Sequence, residues 1–162
     1  MEKDLQIRTT DFLWDEYFEK NFISQETQNK LLTTNFLTIP TKYAESEYYF
    51  AQETIDFLKF CQQNSKEYSF DILADGDIKI RSLHSFDIWM PVIFIASEIL
   101  LPIIVNIVSG YISNKMQGRE NEDAQVDVTF IVKRNEEEKL LHYKGDAKTF
   151  KESFEKIDLN KM

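Results

Sequence analysis

Between Pro91 and Asn114 the sequence carries one formal charge, Glu98, in a run dominated by Leu, Ile and Val. A segment this apolar must be hidden from water, and what hides it fixes the kind of molecule the chain can be. The spacing predicts one long helix over 91–114, with Pro91 at its start, where a missing N–H costs nothing. At about 100° per residue, Glu98, Pro102, Asn106, Ser109, Gly110 and Ser113 share a narrow, small and weakly polar stripe. Leu100, Leu101, Ile103, Ile104, Val105, Ile107, Val108 and Tyr111 occupy the broad remaining face. Three environments suit such a helix. It can be the central helix of a folded domain, with its broad face on a sheet. It can pack on a partner protein or a second copy through the small stripe. It can cross a membrane, since about 20 residues span the hydrocarbon core. A central acidic residue costs about 2.5–3.5 kcal/mol there, which nearly cancels the apolar gain. The reading adopted is the buried central helix, with membrane insertion as the alternative.

The rest of the chain supplies elements that could bury it. Phe36-Leu37-Thr38-Ile39 reads as a short strand ending at Pro40. Tyr43 to Gln63 has helical spacing through Ala51, Ile55 and Leu58, with Tyr48, Phe57 and Phe60 widening the face. Tyr68–Leu73 and Ile78–Leu83 alternate apolar and polar residues around Ala74-Asp75-Gly76-Asp77, which predicts a β-hairpin. Val126–Val132 and Lys139–Lys144 predict a second hairpin across Asn135-Glu136-Glu137-Glu138. Asp146 is placed to cap a last helix carrying Phe150, Phe154 and Ile157. The fold class is therefore α+β: two β-hairpins packed with a long central apolar helix and flanking helices. Residues 41–162 form that domain. Residues 1–40 precede it as an aromatic-rich N-terminal arm, with Trp14, Tyr17 and Phe18 at helical spacing and Phe22 beyond them.

Charge and composition narrow the function. The 162 residues hold 19 basic and 28 acidic side chains, a net charge of −9. That opposes binding to nucleic-acid phosphates or to an anionic membrane surface. The single cysteine, Cys61, excludes an internal disulfide, and the charged start Met1-Glu2-Lys3-Asp4 does not resemble a secretion signal. Both features fit a cytoplasmic protein. No GxGxxG, GxxxxGK[ST], CxxC, HExxH or GxSxG pattern occurs, so the sequence implies no cofactor and assigns no catalytic residue.

Four constellations remain. Asp71, Asp75, Asp77, His84 and Asp87 are the only dense set of oxygen and imidazole donors, of the type that holds Mg²⁺ or Mn²⁺. Asp75 and Asp77 flank a turn glycine, where Asp serves the backbone, and Asp87 can cap a helix, so no metal site is assigned. Cys61 and His84 are the one conceivable thiol–imidazole pair, and Cys61 falls on the apolar side of its helix, as a buried inert thiol does. His142 reads as a surface residue on a hairpin strand. Trp14, Tyr17, Phe18 and Phe22 are the candidate partner-binding anchors, since aromatic side chains dominate protein interfaces.

The hairpin around Ala74-Asp75-Gly76-Asp77, the apolar segment Val92–Ile112 and the strand–hairpin–helix from Val126 to Ile157 together resemble the small effector-associated domains of bacterial conflict and antiphage systems. That resemblance implies a non-enzymatic adaptor or sensor subunit acting beside an effector. The functional expectation is a protein-interaction module that binds a protein partner or a second copy of itself.

Overall fold

The apolar run folds in two pieces. In the computed structural model, which describes residues 5–10, 12–43, 47–76, 78–81, 88–119 and 121–155, it forms a strand and then a helix. The strand is Ile88–Ile95 and the helix Leu101–Lys115. Between them Ser97 caps a single 3₁₀ turn, Glu98–Leu100, by accepting from the Ile99 N–H. This corrects the expectation of one helix over 91–114. The strand is buried on both faces, so its sequence has no period-2 alternation to separate it from a buried helix. Pro91 lies inside the strand, where the register against its neighbour shifts between Trp89 and Val92. A bulge tolerates the missing donor. The proline that does serve a helix start is Pro102, in the first turn of the Leu101–Lys115 helix.

In chain order the elements are β1 (Leu5–Thr9), α1 (Trp14–Lys20), α2 (Gln25–Gln28), α3 (Lys30–Thr33), β2 (Phe36–Ile39), β3 (Thr41–Tyr43), β4 (Glu47–Ala51), α4 (Thr54–Asn64), β5 (Phe70–Ile72), β6 (Ile80–Arg81), β7 (Ile88–Ile95), α5 (Leu101–Lys115), β8 (Gln125–Arg134), β9 (Glu137–Asp146) and α6 (Phe150–Glu155). Six strands form one mixed sheet in the order β1-β9-β8-β7-β2-β5, and β3-β4-β6 form a smaller one. Helices with mixed sheets make the chain α+β.

One face of the large sheet carries α4, α5 and α6. Ile104, Val105, Val108, Tyr111 and Ile112 of α5 meet Met90, Ile93, Ile95, Val128, Phe130 and Val132 there in the main core. The polar stripe of α5 faces away: Pro102, Asn106, Gly110 and Ser113 are exposed. Glu98 pairs with Arg134 at 3.1 Å, a partner from the far end of β8. A second core lies on the opposite face, where Tyr17, Leu37, Ile39, Tyr48, Leu73, Phe94, Ile131 and Leu140 come together under α1 and the β3–β4 pair.

Other local expectations divide. β8 and β9 pair as a hairpin, but with a tighter turn than the expected Asn135–Glu138: Arg134 pairs with Glu137 across Asn135-Glu136, and Glu137 and Glu138 belong to β9. Asn135 takes φ +56°, the left-handed conformation that such a two-residue turn requires. Among the described residues the first expected hairpin does not form: the chain bends at Asp75 and Gly76, the latter at φ +65°, but β5 pairs in parallel with β2 and β6 in parallel with β4. Asp77, Ser82 and Leu83 of that expectation lie outside the described residues. Residues 43–63 are not one helix either. Tyr48-Tyr49-Phe50 lies in β4, where aromatic residues suit a pleated surface, and α4 begins only at Thr54. The stretch expected as an arm, residues 1–40, supplies β1 and β2 to the large sheet, so the expected boundary at residue 40 falls within shared structure.

Candidate functional site

The four expected partner anchors do not form one exposed patch. Tyr17 is 2% exposed, and its hydroxyl donates to the Leu73 carbonyl at 2.6 Å. Burial holds its phenol well above the ordinary tyrosine range. Trp14 packs edge-on against Phe94, with ring centroids 5.3 Å apart, and its Nε1 donates to Glu138 Oε1 at 2.9 Å. Phe18 is half-buried against Trp14 and Tyr17. Only Phe22 points into solvent: it is 90% exposed on the turn after α1 and takes φ +53°. Three of the four therefore tie α1 to the domain.

The acidic cluster resolves in a similar way. Asp75 accepts from the Ser24 N–H at 2.6 Å, from the Ser24 hydroxyl and from the Thr27 hydroxyl. It clamps the first turn of α2 onto the Leu73–Gly76 turn. The Thr27 bond is foremost in holding its carboxyl below the usual range. Asp71 pairs with Lys30 at 3.0 Å. Asp77, His84 and Asp87 lie outside the described residues. Among the described residues no three His, Cys, Asp or Glu side chains are grouped to hold a metal ion. Cys61 is fully buried between α4 and the sheet, and desolvation pushes its thiol up to about 12.

A concavity lies where the sequence suggested no site. The face of the large sheet opposite α5 is only part-covered. Beside α1 and β3–β4 it leaves a cleft of about 510 Å³. The floor comes from alternate positions of neighbouring strands. Thr129 of β8 stands opposite His142 of β9, Asp127 opposite Trp89 of β7, and Gln6 of β1 opposite His142. Because side chains alternate across a strand, Arg8, His142, Thr129, Asp127, Trp89 and Val92 all reach this face. Phe12, Leu13 and Tyr48 wall one side, and Pro40, Thr41 and Lys42 bring the β2–β3 connection to the rim. Leu13 is 58% exposed there.

The cleft lining holds more cations than carboxylates, although the chain as a whole is acidic. Arg8, Lys42 and His142 face into it with one carboxylate, Asp127. His142 Nε2 and Asp127 Oδ1 are 2.9 Å apart and part-buried, which fixes both side chains on the floor. Lys42 is oriented by Glu16 of α1 at 2.6 Å, and Lys20 reaches the same carboxylate at 3.2 Å. The Lys42 bond is the main cause of a lowered Glu16 pKa, and it raises that of Lys42 in turn. The cleft thus offers apolar and aromatic walls, a hydroxyl, an imidazole and two cations. Apolar and aromatic walls with a few polar groups are the usual composition of a binding site. The expected four-residue turn over Asn135–Glu138 would set Thr129 opposite Lys144; the two-residue Asn135-Glu136 turn sets it opposite His142 instead. Arg8, Lys42 and Trp89 join through long-range pairings that no local pattern announces.

Among the described residues no helix is long and apolar enough to cross a membrane. The 15 residues of α5 extend about 22 Å at 1.5 Å per residue, against about 30 Å of hydrocarbon. Comparison with protein-family models, with curated proteins and with solved structures finds no match.

Proposed function

We propose that the chain is a non-enzymatic protein-interaction module, an adaptor or sensor subunit of the kind that serves a bacterial effector or defence system from the cytoplasm. A segment of the partner protein occupies the cleft on the sheet's open face. The observation that carries this reading is the cleft itself: about 510 Å³ of concave surface with aromatic walls, lined by Arg8 and Lys42 against one carboxylate, Asp127, on a chain of net charge −9. Charge reversed locally against the global sign favours an acidic partner segment over a basic one and suppresses wrong pairings. The aromatic side chains near it, Phe12, Tyr48 and Trp89, are the residue types that anchor protein interfaces. The binding surface is thereby moved from the expected Trp14, Tyr17, Phe18 and Phe22 set to the neighbouring cleft, which none of those four side chains lines.

Selection from a displayed library of random peptides tests this before any partner has been identified. The expected result is enrichment of acidic sequences that bind the parent chain. Thr129→Trp, which fills the cleft floor, should abolish binding while leaving the melting temperature within a few degrees. Failure to enrich any sequence, or equal binding to parent and Thr129→Trp, would refute the proposal.

A further inference from the structure

The cleft opens beside the one long edge of the large sheet. β1 ends the strand order, pairing with β9 from Leu5↔Tyr143 to Thr9↔Lys139, and no described strand pairs with its other side. The opposite edge, β5, is only three residues long. Edges of this kind are usually blunted by proline, bulges or covering elements, because their free N–H and C=O groups template further pairing. β1 contains no proline, keeps an unbroken register with β9, and is exposed from Gln6 to Thr9.

The two faces of β1 differ in what they would ask of an added strand. Gln6 and Arg8 stand on the cleft face, next to His142 and within reach of the same floor. Leu5 turns to the helix side, where it packs against the main core, and Ile7 follows it there, an apolar side chain left 44% exposed. A strand laid along β1 would alternate in the same way. Its residues on one face would stand beside Gln6 and Arg8 at the cleft rim, and those on the other would extend the apolar row of Leu5 and Ile7.

We propose that the partner docks by strand addition: an extended segment with alternating acidic and apolar residues joins β1 as a seventh strand, its acidic side chains beside Gln6 and Arg8 at the rim of the cleft and its apolar ones beside Ile7. The inference rests on the cleft being the binding surface and adds how the partner is held there. Main-chain hydrogen bonds to the edge supply affinity, and the alternate side chains supply specificity.

The probe is a fluorescein-labelled decapeptide alternating Glu and Val, titrated into the full chain by anisotropy. Strand addition predicts binding at least tenfold tighter than for a block peptide of identical composition and for an alternating Lys–Val peptide. Arg8→Glu should weaken it at least fivefold at unchanged melting temperature. N-methylation separates main-chain from side-chain docking. Methylating all residues of one alternate set should abolish binding, and methylating the other set should be tolerated, because only one set directs its N–H groups at β1. If both methylated forms bind like the parent peptide, strand addition is overturned while a cleft that binds through side chains survives. No binding up to about 1 mM overturns it as well. A doubled solution mass that Ile7→Lys abolishes would show that a second copy of this chain occupies the edge, which also overturns it. Loss of the cleft reading shows separately, as indifference of the library-selected peptides to Thr129→Trp.

Discussion

Tyr17→Phe isolates one bond that joins α1 to the rest of the molecule. The ring stays, so its edge contact with Tyr48 at 5.0 Å is kept. What is lost is the hydroxyl that donates to the Leu73 carbonyl at 2.6 Å. Leu73 is 0% exposed, so its carbonyl has no route to bulk water. The loss therefore combines a hydrogen bond with a stranded buried acceptor, together about 1–3 kcal/mol. For a chain of this size each kcal/mol lowers the melting temperature by about 2–4 °C, so the expected fall centres on about 5 °C. Differential scanning calorimetry at neutral pH reads it directly. Phe22→Ala is the internal control: at 90% exposure it should shift the midpoint by less than about 1 °C. The pH dependence adds a second check. Burial raises the Tyr17 pKa, so the folded state keeps the phenol protonated after the unfolded chain begins to titrate near about 10. The stability that follows is complete below that pH and declines as pH rises above it. Tyr17→Phe lacks this alkaline loss, so the gap between the two proteins should narrow above about pH 10. A variant that melts within 1 °C of the parent at neutral pH would refute the idea that α1 is fastened through this bond.

Three further outcomes follow from the packing and the charges. Ile104→Ala should cost about 2–5 kcal/mol in urea unfolding, because Ile104 is fully buried between α5 and the sheet; a loss below 1 kcal/mol would mean that α5 is not seated there. Cys61 should resist thiol reagents in the folded protein at pH 8 and react at once in denaturant, since it is 0% exposed and its thiol is pushed up to about 12. Asp75→Asn should destabilise by about 1 kcal/mol at neutral pH, the scale of a capping interaction. Its native carboxyl is held below the usual range, so the difference should be complete above about pH 4 and vanish as acid protonates Asp75; a pH-independent difference would contradict the clamp on Ser24 and Thr27.

How much of this was legible in the sequence depends on whether a residue's neighbours are local. The β8–β9 hairpin was readable because a β-branched run, Val126–Val132, leads into Asn135, which accepts the left-handed turn, though that turn is two residues shorter than the sequence suggested. The β7–α5 segment resists reading because complete burial erases the period that distinguishes strand from helix, and Ser97, the cap that divides them, is a single polar residue in a long apolar run. The Ala74–Gly76 turn is recognisable, yet turn chemistry says nothing about whether the flanking strands pair with each other. Here β5 finds the buried β2 instead. The aromatic segment is visible as a cluster, but the burial of Tyr17 depends on Leu73, 56 residues away in sequence. The cleft gathers Arg8, Lys42, Trp89, Asp127 and His142 from five separate strands, and even the Thr129–His142 juxtaposition depends on a turn two residues shorter than the sequence suggested.

The central claim is that a protein segment is received in the basic cleft beside β1. Two-dimensional ¹H–¹⁵N NMR of the full chain, titrated with a library-selected acidic peptide, tests it residue by residue. The account predicts saturable shifts concentrated at Arg8, Lys42, Thr129 and His142, with the α5 surface around Asn106 and Ser113 unmoved. Shifts centred on Phe22 or on the exposed stripe of α5, with the cleft silent, would contradict it.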